Sequence, residues 1–112
     1  MAWMNQFSKT NGTADVTVLS APAASTSRRI PAGGLNIYNN DTTDMTLTVQ
    51  INQNDTADRL LDKPVLNSGD AWSNSKFVVC LDGADQSLEV FCADTSSVDK
   101  GHITVMYRDE SQ

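Results

Sequence analysis

Nine consecutive residues, Met45-Thr46-Leu47-Thr48-Val49-Gln50-Ile51-Asn52-Gln53, alternate apolar and polar side chains almost without a break. In an extended chain Met, Leu, Val and Ile fall on one side, and Thr, Thr, Gln and Asn on the other. That is the pattern of an antiparallel strand with one face buried and one face wet. A helix would scatter the same side chains around its circumference. The chain must therefore hold a sheet, and it must supply a second layer to cover the apolar side.

The second constraint is Lys76 to Cys92. Phe77, Val79 and Leu81 stand two residues apart on one arm, and Leu88, Val90 and Cys92 on the other. Between the arms lies Asp82-Gly83-Ala84-Asp85-Gln86-Ser87, rich in residues that tolerate turn dihedrals. The spacing predicts a β-hairpin with Leu81 opposite Leu88, Val79 opposite Val90 and Phe77 opposite Cys92. In that register Cys92 faces the apolar wall and Cys80 the other side, so two free thiols are expected rather than a bridge.

Other segments follow the same grammar. Asp15 to Leu19 reads as a strand, and Ser20 to Ser27 as a bland loop. Arg28-Arg29-Ile30 leads to a Pro31 to Gly34 turn. Leu35 to Asn39 is a strand that pairs with Met45 to Gln53 in a second predicted hairpin. Asn54 to Asp62 is a single helical turn or an irregular edge, Lys63 to Leu66 suits an edge strand because of Pro64, and His102 to Arg108 is the final strand. Together these predict an all-β fold, an antiparallel β-sandwich of the jelly-roll or immunoglobulin-like kind, with about seven or eight strands. Residues 1–13, carrying Trp3, Met4 and Phe7 without a clear period, read as an extended N-terminal arm. Residues 14–108 form the sandwich, and 109–112 a short acidic tail.

A chain of 112 residues fits one domain. Its net charge of −6 and scattered basic residues provide no track for phosphates, so nucleic acid is not expected as a partner. No apolar run reaches the roughly 20 residues of a membrane span. Met1 to Phe7 lacks the basic and apolar regions of a secretion signal, so synthesis in the cytoplasm and no membrane partner are expected.

Catalytic chemistry finds little footing. His102 is the one histidine, and no serine in a strained elbow accompanies it. Cys80, Cys92 and His102 lack the close ligand spacing of a zinc site. The Asp- and Asn-rich stretches 39–44 and 52–58 offer calcium-type oxygens but do not match the EF-hand loop, and they are also ordinary turn material. No enzyme activity, metal or cofactor is expected. Arg28-Arg29, the one basic doublet, fits either an acidic partner surface or plain solvation. Trp72 reads as core or sheet-edge filling, since a sugar platform needs a second exposed aromatic beside it.

The turn Ile30-Pro31-Ala32-Gly33-Gly34, the strand Leu35 to Asn39 and the alternating strand after Asn40-Asp41-Thr42-Thr43 form a familiar pattern. Lys76-Phe77-Val78-Val79-Cys80-Leu81, a Gly-containing turn and Ser87-Leu88-Glu89-Val90 extend it. Over residues 28–108 the chain resembles small β-sandwich virion proteins of tailed bacteriophages. The resemblance implies a capsid decoration or cement protein, or a neck, tail or fibre adaptor. It also implies the major capsid protein or other virion proteins as partners, and a homo-oligomer, with a trimer favoured. The arm would reach a neighbour. Trp3, Met4, Phe7, Arg28 and Arg29 are the expected partner-binding residues. A carbohydrate-binding module is the alternative class.

Overall fold

A computed structural model of the chain describes residues 3–53, 57–82, 84–95 and 98–111, all as strands, turns and loops, with no helix among them. The strands are β1 (Met4–Asn11), β2 (Val16–Leu19), β3 (Thr26–Ile30), β4 (Leu35–Asn39), β5 (Met45–Gln53) and β6 (Arg59–Asp62). Then come β7 (Val65–Leu66), β8 (Ala71–Ser73), β9 (Val79–Asp82), β10 (Gln86–Cys92) and β11 (Val98–Ser111). They form two antiparallel sheets, as the alternation requires. The first has the order β8-β4-β11-β3-β9 with β1 also on β11, and the second the order β2-β10-β5-β6 with β7 also on β5.

The core lies between the sheets. Leu35, Ile37, Ile103 and Val105 point inward from the first, and Met45, Leu47, Val49, Leu88 and Val90 from the second, all at most 1% exposed. At about 25 cal/mol per Å² of apolar surface removed from water, this wall-to-wall burial is the main force holding the layers together.

Both predicted hairpins are corrected by the pairing. β9 lies beside β3 in the first sheet, whereas β10 lies between β2 and β5 in the second. Leu81 and Leu88 are both fully buried, each in its own layer, and they are not cross-strand partners. Likewise β4 pairs with β11 and β8, and β5 with β10, β6 and β7. Each pair of sequence neighbours is thus an arch that carries the chain from one layer to the other. Two apolar walls can be joined edge to edge or face to face, and facing them buries more surface.

Three boundaries also shift. Residues 4–11 are an integral strand, paired with β11 from Met4 opposite Tyr107 to Lys9 opposite His102. The stretch 109–111 is the end of β11, where Asp109 pairs with Arg28 and Glu110 with Ser27. Residues 26 and 27, expected in a loop, open β3. Among the described residues eleven strands replace seven or eight, because these segments and the short β6, β7 and β8 join the sheets. Of the stretch Asn54 to Asp62, residues 59–62 form the edge strand β6, and Asn54, Asp55 and Thr56 lie outside the described residues, as does Gly83.

Two buried asparagines hold the connections in place, Asn74 between the β3–β4 and β8–β9 links of the first sheet and Asn39 at the β4–β5 arch. Asn74 Oδ1 accepts from the Leu35 N–H at 2.9 Å, and its Nδ2 donates to the carbonyls of Pro31 and Phe77 at 3.1 and 2.8 Å. Asn39 Nδ2 donates to the carbonyls of Thr43 and Leu66, and its Oδ1 accepts from the Asp41 N–H. Backbone groups turned away from the ladders are thereby satisfied, which a buried loop requires.

Candidate functional site

Alternation along β1, β4 and β11 aims a second set of side chains at solvent, on the outer face of the first sheet. The register places Lys9 beside His102 and His102 beside Tyr38, then Phe7 beside Thr104, and Asn5 beside Met106. At the far end Arg108 stands beside Arg29, and Arg29 beside Cys80. Trp3 is 44% exposed and lies against the Arg108 guanidinium, whose carbon is 4.8 Å from the ring centroid. Phe7 is 74% exposed, and Tyr38 is 42% exposed with its ring 6.4 Å from that of His102.

This face therefore carries Trp3, Phe7 and Tyr38 together with Lys9, Arg29 and Arg108, on a chain whose net charge is −6. Glu110 balances Arg108 through a 2.7 Å ion pair. Aromatic and Arg side chains are the groups most enriched at the energetic centres of protein interfaces.

The five residues expected to bind a partner separate by strand parity. Trp3, Phe7 and Arg29 look outward. Met4 shares the inner side of β1 with Thr10 and lies at the open end of the sandwich, 40% exposed. Arg28 points inward. Its Nε donates to Asp109 Oδ1 at 2.9 Å, its Nη1 donates to the Ser20 carbonyl at 2.8 Å, and its guanidinium sits 5.3 Å from the Tyr107 centroid. These contacts fix the end of the sandwich, so a structural role is already assigned to Arg28. Tyr38, which is not among the five expected partner-binding residues, also joins the outer face. Its place opposite Leu35 and Ile37 in the β4 alternation was the available signal.

A second feature lies at the margin between β6 and β8. A recess of about 270 Å³ is lined by Asp62, Trp72, Ser73, Ser75, Lys76 and Phe77. Trp72 Nε1 donates to Asp62 Oδ2 at 2.9 Å, which fixes the indole, and the Phe77 ring lies 6.4 Å away at a tilt of 52°. Trp72 thus has the aromatic neighbour that its sequence context did not reveal.

Cys80 is exposed and Cys92 buried, both as free thiols. Burial, then the charge of Asp82, pushes the Cys80 thiol above its ordinary value, and burial does the same for Cys92. Neither is an activated nucleophile at neutral pH.

Among the described residues no group of three or more His, Cys, Asp or Glu side chains converges on a point. Around the 39–44 turn, Asn39 and Asp41 side chains are engaged by backbone groups of the turn itself. On the outer face of the second sheet, buried Glu89 accepts from Asn52 Nδ2 and Gln50 Nε2, and Gln50 also donates to Asp58. Comparison with known protein families, with curated proteins and with solved structures finds no match in any of the three.

Proposed function

We propose that this chain is a non-enzymatic structural protein of a virion, a decoration or cement protein seated on the outer surface of a phage capsid. Its partner is the major capsid protein, and copies of the chain meet one another on the shell. The protein is made in the host cytoplasm and ends on the particle. One observation carries the reading: the outer face of the first sheet presents Trp3, Phe7 and Tyr38 beside Lys9, Arg29 and Arg108. Such a face gives desolvated aromatic anchors at its centre and charge steering toward an acidic surface.

A protein that binds the assembled shell and not its free parts shifts the equilibrium toward assembly by mass action. Modest contacts repeated over a lattice gain further through multivalency. The test is quantitative mass spectrometry of purified particles, followed by re-addition of protein to stripped shells. A copy number matching the shell lattice, and loss of binding in Trp3→Ala/Phe7→Ser, are expected. A copy number matching a single vertex assigns the chain to the neck or tail instead. Full occupancy by the double variant removes the face from the mechanism.

The Trp72 recess favours a second reading, carbohydrate binding. The indole and phenyl rings provide apolar planes for a sugar ring, and Asp62, Ser73, Ser75 and Lys76 surround them with donors and acceptors. A glycan screen decides it: binding that disappears in Ser75→Ala/Lys76→Ala, two exposed positions whose change leaves melting unchanged, supports the module, and no binding to any glycan rejects it.

A further inference from the structure

We infer that the free edge of β1 is a self-recognition element, pairing antiparallel with β1 of a second copy about a two-fold axis at Phe7. The inference supplies the contact between copies that the capsid reading assumes. It is measured without any shell, so either can fail alone.

The edge is open in a defined way. Met106 donates its N–H to the Gly34 carbonyl, and the Lys100 carbonyl accepts from Asn40. Even-numbered residues of β11 in this stretch therefore turn their backbone groups toward β4, and odd-numbered ones toward β1. Since Gln6 lies opposite Val105 and Ser8 opposite Ile103, those β1 residues are the ones bonded to β11. The N–H and C=O groups of Asn5, Phe7 and Lys9 point away from the sheet, and among the described strands β1 pairs with β11 alone.

Sheets guard such edges with Pro, bulges, charges or brevity. The other margins are short: β2, β6, β7, β8 and β9 have two to four residues each. β1 has eight residues, no Pro and no acid, a register shift only beyond Lys9, and Lys9 as its one charge.

A second copy of this strand fits better than an arbitrary one, because β1 complements itself about Phe7. An antiparallel two-fold there sets Phe7 opposite Phe7 of the partner copy, Asn5 opposite Lys9 and Gln6 opposite Ser8. Backbone pairing at positions 5, 7 and 9 gives about six hydrogen bonds across the axis. The most exposed aromatic of the chain then meets its own image, an arrangement favoured between neighbouring strands. Ser8 Oγ, buried and without a hydrogen-bond partner, lies opposite a glutamine amide that can both donate and accept. The two Lys9 Cα positions lie about 13 Å apart along the strands, beyond the roughly 8 Å Debye length at physiological salt, so these two like charges do not oppose the pairing. The two-fold takes the place of the trimer that the resemblance implies.

Disulfide trapping in a Cys80→Ser background reads the register directly. Asn5→Cys mixed with Lys9→Cys is expected to form a cross-linked dimer on mild oxidation, whereas either variant alone is not. Separately, Phe7→Lys is expected to weaken the dimer about tenfold in sedimentation experiments, with melting unchanged at dilutions where both chains are monomeric, because position 7 is exposed there. A wild-type chain that stays monomeric at millimolar concentration, a trimer, or cross-linking by Asn5→Cys alone overturns the inference.

Discussion

Replacing Gly101 with alanine asks whether β1 belongs to the folded body or merely lies against it. Gly101 sits in β11 where Thr10 of β1 crosses closest. Its N–H donates to Thr10 Oγ1 at 2.8 Å, and the threonine is fully buried. A Cβ at position 101 would fall 2.5 Å from Thr10 Cγ2, 2.9 Å from Oγ1 and 3.2 Å from Met45 Sδ. Methionine can move aside. The β-branched threonine has few alternative rotamers, and moving it strips the Gly101 N–H of its acceptor. Overpacking of this size costs about 1–3 kcal/mol, and a lost buried hydrogen bond about 1–2 more. The smaller entropy of an unfolded alanine offsets about 0.4–1 kcal/mol. The net expectation is a loss of about 2–3 kcal/mol, a melting temperature lower by roughly 6–12 °C for a domain of this size. Denaturant titration of Gly101→Ala, Thr10→Ala and the double variant isolates the contact. Thr10→Ala opens the space, so the double variant should recover at least about 1 kcal/mol relative to additivity. If Gly101→Ala is neutral, or the two changes simply add, then β1 is a detachable arm after all and the packing argument fails.

Arg28→Ala should lower stability by about 1–2 kcal/mol, because it leaves Asp109 and the Ser20 carbonyl without their donor, while Arg29→Ala should stay within about 0.5 kcal/mol. Urea melts of both variants check this, and equal effects would refute the division of the doublet by strand parity. Asn74→Ala removes the acceptor of the Leu35 N–H and the donor to Pro31 and Phe77, so a loss of about 2–4 kcal/mol is expected in the same assay. A neutral result would mean water replaces the amide without penalty. At neutral pH iodoacetamide should modify Cys80 slowly and Cys92 only after unfolding, which mass spectrometry resolves. Burial raises both thiols above the ordinary range in the folded chain. Well below the ordinary thiol pKa of about 8.5 the folded and unfolded thiols are both protonated, whereas near and above it the unfolded chain ionises first. Stability therefore falls as pH rises through the folded value, and the fall should be shallower in Cys92→Val.

Much of the fold was legible because period-two alternation names the buried face of each strand. Met45, Leu47, Val49 and Ile51 are all buried, as are Leu35 and Ile37, Val79 and Leu81, and Leu88, Val90 and Cys92. Alternation is silent about lateral neighbours. A hairpin and an arch expose the same pattern and differ only in the path of the link. The six residues from Asp82 to Ser87 are longer than the two-residue loops that dictate tight hairpins. β1 escaped for another reason. Its inward side chains include Gln6, Ser8 and Thr10, and its most exposed one is Phe7, so the pattern there is reversed. At the margin of the sandwich a strand meets the edge of the core and not its centre, and polar contacts such as Thr10 to Gly101 take the place of apolar packing.

The same reversal governs what could be read of the candidate face. Trp3 and Phe7 stood out because large aromatics in a polar segment need a surface to meet. Parity on β1 then shows that Phe7 is turned away from its own core, which is why both proposals above place a contact there. Arg28 and Arg29 could not be told apart by composition. One residue of offset sends one to Asp109 and Tyr107 and the other outward, and only the buried Ile30 fixes which is which. Asn39 and Asn74 gave no signal, since asparagine is common in turns and its burial depends on chain paths that meet from distant segments. Packing side chains could thus be assigned from periodicity, while the groups that set the connections and the outer face became visible only once the two layers were in register.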